Sequence, residues 1–429
     1  METVKANAYK ILKERGFIYQ STDDEAISRL LDEKAITCYV GFDATADSLH
    51  VGSLVPIMGL AHMQRCGHRP IALLGGGTTL VGDPSGKTEL RQMLSVETVQ
   101  SFGKAIKAQL GRYLDFENDR ALLLNNADWL LPLNYIEFLR DVGRHFSVNR
   151  MLTAESYKQR LETGLTFIEF NYMLLQAYDF YVLAKNWDCM LQMGGQDQWG
   201  NIVAGSDLIR RKMGDQAYGM TFPLLLSSSG QKFGKTEAGA VWLDAKRTPV
   251  FEFYQFWRNV EDRDVEKLLG LFTMLPMEEV RRLGGLKEPL INRAKEILAF
   301  EATRFAHGIN AAIEAYTSAV TQFGEADPEN RIETSSEIRN VRFDKAEALP
   351  TISLDIGLLK GGLWVVKLFV ESGLCTSNGE AKRLIRQGGA YIQDEKVEDE
   401  NLEIKETDLQ DGSLIIRAGK KRYKRLIFS

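Results

Sequence analysis

Short apolar runs that end in glycine and pass into helical periods recur through the first half of the chain. "AITCYVGFD" (35–43), "PIALLGGG" (70–77) and "CMLQMGGQD" (189–197) are the clearest. Strands that end this way and feed helices predict an α/β class domain with a Rossmann-like parallel sheet. From about 249 to 325 the pattern is helical, as in "VFEFYQFWRNVEDRDVEKLLGLFT", with few strand-like runs. The polar stretch "GEADPENRIETSSEIRN" then reads as a linker. Beyond it, a helix pair precedes the strand-like runs "GAYIQ" and "SLIIRAG". The predicted organisation is therefore an α/β domain over 1–240, an α-helical domain over 241–335, a linker over 336–360 and a small α+β domain over 361–429.

Composition narrows the class. With 429 residues, 44% of them hydrophobic, the chain is long enough for two or three domains, each with its own core. No apolar run reaches the length of a membrane span. The start, "METVKANAYKILKERGF", mixes acidic and basic residues on a helical pattern and resembles neither an export signal nor a transit peptide, so a cytoplasmic location is expected. Cys38, Cys66, Cys189 and Cys375 are scattered without a C-x-x-C pair, which predicts reduced thiols, no disulfide frame and no structural metal. The net charge of -5 argues against a basic coat. Yet "IIRAGKKRYKRLIFS" carries Arg417, Lys420, Lys421, Arg422, Lys424 and Arg425 without an acidic residue, so a local polyanion contact is compatible with the acidic total.

Several stretches carry chemistry. "QKFGKTE" (231–237) sets Lys232 and Lys235 in a short glycine-containing loop, either a solvated hairpin tip or an anion clamp. A P-loop is excluded, because Gly86-Lys87-Thr88 and Gly234-Lys235-Thr236 lack the earlier glycine: Val81 and Ser229 stand there. In "YVGFDATADSLHVGSLVP", Tyr39 and Val40 close a strand, Gly41 allows a sharp exit, and Asp47 or Ser48 is a natural N-cap for a helix starting near His50. Such a helix aims its free N–H groups at whatever lies above the sheet, which suits phosphate. His50 and Gly52 lie in its first turn. "MGGQDQWG" repeats the nucleotide-binding device of strand end, glycine and acid, with Gly194-Gly195 followed by Asp197. Asp43 is a candidate acceptor or simply a turn residue. Along "NYMLLQAYDFY", Tyr172, Gln176 and Asp179 share one helical stripe among Phe170, Leu174, Tyr178 and Tyr181, so the polar stripe is expected to line a pocket.

"HVGS" and "KFGKT", with "GFDATADSLH", "GGGTTLVGDPSGKTE", "HFSVNRML", "FNYMLLQAYDF", "GGQDQWGNI" and "TEAGAVWLD" between and around them, resemble bacterial-type tyrosyl-tRNA synthetases of class I over nearly the whole catalytic half. The resemblance implies activation of L-tyrosine with ATP to tyrosyl-adenylate, with magnesium accompanying the nucleotide, then transfer to the 3′-terminal adenosine of tRNA(Tyr). It implies Lys232 and Lys235 on the β- and γ-phosphates, Thr45 and His50 at the phosphates, and Lys87 and Arg91 reaching in during reaction. Tyr39 and Asp179 match the positions that bind the phenol, and Tyr172, Gln176 and Asp83 those that hold the α-amino group. Gln198 matches a residue near the carboxylate. For ATP the implied residues are Gly41, Asp43, His50, Gly52, Ser53, Gly195, Asp197, Lys232, Lys235 and Thr236. A homodimer is implied, with Phe167 at an interface position; a core place for Phe167 is the alternative.

The departures are local. Ser53 replaces the last histidine of the first signature; Phe233, Gly234 and Thr236 replace the usual Met, Ser and Ser of the second; Val40, Ala44 and Gln196 also differ. The tail "LWVVKLFVESGLCTSNGEAKRLIRQGGAYIQDEKV" resembles a small RNA-binding domain shared with a ribosomal protein and pseudouridine synthases. That implies tRNA contacts from Lys382, Arg383, Arg386, Lys420, Lys421 and Arg422, and makes the helical region an anticodon-binding domain. Three rivals are a tryptophanyl-tRNA synthetase, against which a tyrosine–aspartate pair suits a phenol better than an indole; a different nucleotidyltransferase, which would lack the helical domain and RNA-binding tail; and a non-catalytic RNA-binding protein, expected to have lost His50, Lys232 or Lys235.

Overall fold

The computed structural model describes residues 6–84, 94–228, 230, 233–236, 239–341, 351–393, 395–410, 412–419 and 422–428. β1 (Gln20–Ser21), β2 (Thr37–Phe42), β3 (Arg69–Leu74), β4 (Leu122–Asn125), β5 (Cys189–Gly195) and β6 (Tyr218–Phe222) form one sheet in the order β1-β6-β5-β2-β3-β4. All neighbouring pairs are parallel except β1 with β6. β2 reads as a continuous apolar run because helices cover both faces; only Gly41, at its carboxyl end, is exposed.

The helix Leu54–Arg65 is buried along nearly its whole length behind β2 and β3. The helix Phe167–Trp187 begins on a capping box, in which Thr166 and Glu169 satisfy each other's backbone N–H groups. Buried Arg160 fixes Glu169 from a further side at 2.9 and 3.1 Å. That helix carries the polar stripe, and its start leaves Phe167 71% exposed, which rules out the core alternative for that residue.

Five helices follow: Val250–Arg258, Val265–Phe272, Met277–Gly284, Ile291–His307 and Ile309–Phe323. They do not have the core of their own that the domain division at 240 implied. Phe253, Trp257, Leu269 and Phe300 belong to the same buried cluster as Leu12, Val40, Leu60 and Met220. Arg15 joins the two from the amino-terminal side, donating to the carbonyls of Gly270 (2.9 Å), Thr273 (3.0 Å) and Leu275 at the end of a helix.

The linker expectation needs correction at both ends. Its first residues are bound to the helices: Ser336 is buried and donates to the Glu301 carboxylate, Ile338 is buried, and Glu279 receives Thr334 and Ser335. Carboxylates facing inward from helices need such donors, and a hydroxyl-rich segment supplies them. Its last residues form the strand Thr351–Leu354, which lies parallel to the final strand Arg422–Phe428.

That edge strand completes a five-stranded sheet with Glu395–Lys396, Ala390–Ile392 and Ser413–Ala418. The helices Val365–Glu371 and Asn378–Arg386 share with it a separate core that includes Val366, Phe369, Leu414, Ile416 and Leu426. Among the described residues no helix is long and apolar enough to cross a membrane.

Candidate functional site

Strand order reverses between β2 and β5, since the chain runs outward through β3 and β4 on one side and through β6 on the other. In an open parallel sheet, the crevice beyond the carboxyl ends at such a switch is where ligands bind. The predicted residues gather there from four strand ends and from the helix Phe167–Trp187.

At the deep end, the Tyr39 ring lies on β2 against Phe180, with centroids 5.3 Å apart. Its hydroxyl is buried and has no hydrogen-bond partner among the described residues. Burial, then the charge of Asp179, push its pKa well above the ordinary value. Asp179 is itself buried, receiving Asn126 Nδ2 on one oxygen (2.9 Å) and Trp129 Nε1 on the other (2.7 Å). Burial raises its carboxyl to about 7 against these two bonds, which pull it down. A carboxylate oxygen can accept twice, so each retains capacity for a further donor.

The signs follow. Unfolded, this carboxyl ionises near 3.8, so burying it disfavours the fold increasingly as pH rises from there toward 7. A phenol donating its proton needs the ionised form. Tyrosine affinity is therefore expected to be flat at alkaline pH and to fall, by up to about tenfold per unit, below a midpoint near 7. Tyrosine binding by calorimetry between pH 5.5 and 8.5 checks this; a flat profile removes Asp179 as the acceptor.

Two polar chains line the crevice, the first starting from this end. Asn126 also donates to Thr78 Oγ1 (3.0 Å), which donates to Asp43 (2.9 Å), and Tyr172 donates its hydroxyl to the other Asp43 oxygen (3.2 Å). Asp43 is thus more than a turn residue. On the other side Gln198 Nε2 donates to Asp83 (2.6 Å), while Asn201 Nδ2 bridges Gln198 Oε1 (3.0 Å) and Gln176 Oε1 (3.1 Å). Asp83, Gln176 and Gln198 thus lie in one chain and Tyr172 in the other, on scaffolding the sequence alone did not show: Thr78, Asn126, Trp129 and Asn201. One signal was available, because "LLLNNADW" is a further apolar run ending in polar residues at the same sheet edge.

At the outer end the helix does not start at an Asp47 or Ser48 cap. Ser48 is buried, donating to Leu49 O and accepting from Asp244 N, and Asp47 pairs with Arg247. His50 caps instead, its Nδ1 accepting from Gly52 N (3.0 Å) ahead of the turn Val51–Ser53. Its ring meets Trp242 edge-on at 6.0 Å. A Cβ on Gly52 would stand 2.7 Å from that imidazole, so the glycine is needed for the histidine's position. Ser53 makes no capping bond. Thr45 and His50 are exposed at the crevice, as are Gly41 and Asp197, with Gly195 beside Asp197 at the end of β5.

Val51 N donates to Val241 O and Val241 N to Gly234 O, which seats the second signature beside the first. The backbone of Lys235–Thr236 pairs with Gly239–Ala240. Lys87, Arg91 and Lys232 lie outside the described residues, as do Lys420 and Lys421. Among the described residues no group of three or more His, Cys, Asp or Glu is placed to hold a metal.

On the small domain, Lys382, Arg383 and Arg386 share the helix Asn378–Arg386. They are not equally available. Arg386 is paired through two bonds with Glu400 (3.0 and 3.1 Å), Lys382 Nζ stands 5.1 Å over the Trp364 ring, and Arg422 holds the Leu374 carbonyl (2.9 Å).

Comparison with known proteins places the family. A model described as tRNA synthetases class I (W and Y) matches residues 31–324, and one described as the tyrosine–tRNA ligase SYY-like C-terminal domain matches 345–426. A tyrosine–tRNA ligase of Desulfosudis oleivorans is 54% identical over 423 residues, spanning 97% of this chain and 98% of its own. One from Desulfatibacillum aliphaticivorans is 54% identical over 429 residues, 99% of this chain and 100% of its own. Among solved structures, a C-terminally truncated mitochondrial tyrosyl-tRNA synthetase of Aspergillus nidulans superposes with a TM-score of 0.66 at 31% identity, covering 73% of this chain and 93% of that one.

Proposed function

The chain belongs to the class I tRNA synthetases of the tryptophan and tyrosine group, among the tyrosine–tRNA ligases, and from that premise we propose how its own residues perform the two steps. Tyrosine enters the crevice phenol first. Its hydroxyl donates to Asp179 and accepts from Tyr39, while Tyr172, Gln176 and Asp83 take the α-amino group and Gln198 stands near the carboxylate. The observation that carries this reading is the buried, unpartnered Tyr39 hydroxyl beside an acid already oriented by Asn126 and Trp129.

ATP lies across the carboxyl ends of β2 and β5. Asp197 accepts from the ribose, Asp43 lines the same crevice, and Gly41, Gly52 and Gly195 let the nucleotide approach the backbone. Ser53 and Thr236 are short-range hydroxyl contacts. The tyrosine carboxylate attacks the α-phosphorus; the α–β bridging bond breaks, and pyrophosphate leaves with magnesium as part of the substrate complex. Thr45, His50, Lys232 and Lys235 stabilise charge on the departing phosphates, with Lys87 and Arg91 closing from the segment after Gly82. The chemistry is positioning and electrostatics without a covalent enzyme intermediate. In the second step a ribose hydroxyl of the tRNA's terminal adenosine attacks the tyrosyl carbonyl and AMP leaves.

Selectivity against phenylalanine rests on stranding buried polar groups, a device for which tyrosine–tRNA ligases are themselves the usual example. Pyrophosphate exchange measured across the amino acids should respond to tyrosine alone. In Tyr39→Phe the preference for tyrosine over phenylalanine should shrink by roughly 0.5–1.5 kcal/mol, about two- to tenfold. An unchanged ratio would take Tyr39 out of the phenol site, and exchange with tryptophan instead would replace the substrate.

The helical region takes the anticodon arm, and the small domain adds phosphate contacts through Lys382, Arg383, Arg422 and the Lys420–Lys421 pair, with Arg386 contributing once it leaves Glu400. The enzyme works in the cytoplasm as a homodimer. Leu131, Tyr135, Ile136, Val148, Phe167 and Ile168 are all exposed large apolar residues within one span of the chain, more than single scattered exposures explain. Sedimentation at micromolar protein should give twice the chain mass, and Phe167→Asp should return it to one.

A further inference from the structure

Between the two lysines of the second signature stand Phe233 and Gly234, and both have partners in the fold. The Phe233 ring sits among three rings of the helical region, with centroids 5.0 Å from Phe256, 5.5 Å from Trp257 and 6.5 Å from Phe272, the last nearly parallel. These come from the helices Val250–Arg258 and Val265–Phe272. Its amide donates to Leu225 O at 3.0 Å.

The stem leading to it is tied to the same region. Ser228 N donates to Asp264 (2.9 Å), Ser228 Oγ lies within hydrogen-bond distance of Asp264 and Glu261, and Lys267 Nζ reaches Leu226 O (3.4 Å). On the far side, Gly234 has a φ of +84° and packs on the first signature. A Cβ there would lie 3.2 Å from Val51 Cβ and 3.4 Å from Gly52 N. Phe233 therefore stands between the helical region and the His50 turn, and Lys235 is two residues on.

We propose that Phe233 is a positioning residue for adenylate formation: its ring, wedged in the Phe256–Trp257–Phe272 nest, sets where the backbone of the lysine loop stands relative to His50. On this account the helical region, not the parallel sheet, determines how far the loop reaches. The inference rests on the proposed role of Lys235 at the ATP phosphates. A ring that merely filled a hole would, when removed, lower thermal stability and leave the rate per folded enzyme alone. A positioning ring lowers the rate per folded enzyme as well, because a displacement of about 1 Å at a reacting centre can lower a rate on the order of 10²-fold.

Single-turnover adenylate formation in the full-length enzyme decides between them, using Phe233→Ala, Phe233→Leu, Phe256→Ala and the Phe233→Ala/Phe256→Ala pair. Phe233→Ala should slow the step by about 10- to 100-fold with tyrosine KM unchanged, and Phe233→Leu should recover most of it. Phe256→Ala should slow it less, and the pair should be no slower than Phe233→Ala alone. A normal rate in Phe233→Ala, or effects that multiply in the pair, overturns the proposal. If Phe233→Ala does not fold, Phe233→Leu with Phe256→Ala reads the same coupling. Lys235→Ala in the same assay keeps the two ideas apart: slow Lys235→Ala beside normal Phe233→Ala removes only the positioning role, and normal rates in both remove the loop's phosphate role.

Discussion

Replacing Lys235 with alanine is expected to slow tyrosyl-adenylate formation by about 10²–10³-fold while leaving tyrosine affinity unchanged. Charge builds on the β- and γ-phosphates only as the α–β bond breaks, so a cation placed there stabilises the transition state more than the bound substrates. The proposed phenol acceptor Asp179 is oriented by Asn126 and Trp129, and Gln176, of the proposed amino site, by Asn201, all far from the loop in sequence. Stopped-flow measurement of adenylate formation against tyrosine concentration separates the two quantities. A proportional loss of tyrosine affinity would move Lys235 into the amino-acid site.

The second large effect is a separation of the two half-reactions. A chain ended at Val341 should retain pyrophosphate exchange near the full-length rate and lose tRNA charging by orders of magnitude at limiting tRNA. The place of the cut matters: Gly361 would leave Thr351–Leu354 behind without the strand it pairs with, whereas Val341 keeps Ser336 and Ile338 on the helices that bind them. Among the described residues the two hydrophobic cores are distinct, so the larger unit keeps its own core. Since the lost contacts are mainly to phosphate, the salt dependence of tRNA binding should also become shallower. Full-rate charging by the shortened enzyme would show that the small domain is not a tRNA grip. A folded protein without exchange would show that the catalytic unit extends past Val341.

The parallel sheet was legible because its strands are apolar runs stopped by glycine, and the crevice because its residues sit on quotable motifs. The supports of Asp179 were not. Asn126 and Trp129 lie about fifty positions away in the chain and meet it only because β4 ends beside the helix Phe167–Trp187. The linker was misread for a related reason. A hydroxyl-rich stretch looks solvated until Glu279 and Glu301, on helices far upstream, turn inward and draw it in. The four-residue strand at 351 carries too little pattern to be seen, its pairing being set by the last residues of the chain. Phe233 could be read only as a departure from a motif, since the rings that explain it are spread over 256–272.

The three carbonyls held by Arg15 also bear on how the protein is made. The first helix, Ala8–Glu14, and the short strand β1 emerge from the ribosome early, but β6 is about 200 positions downstream and the Arg15 acceptors lie 255 to 260 residues away. At translation rates of roughly 5–20 residues per second, that leaves the Arg15 guanidinium without its carbonyl acceptors for about 13 to 50 seconds. The sheet that this segment borders gains β6 only when synthesis is about half complete, and the Arg15 anchor closes later still, once the chain has passed Leu275.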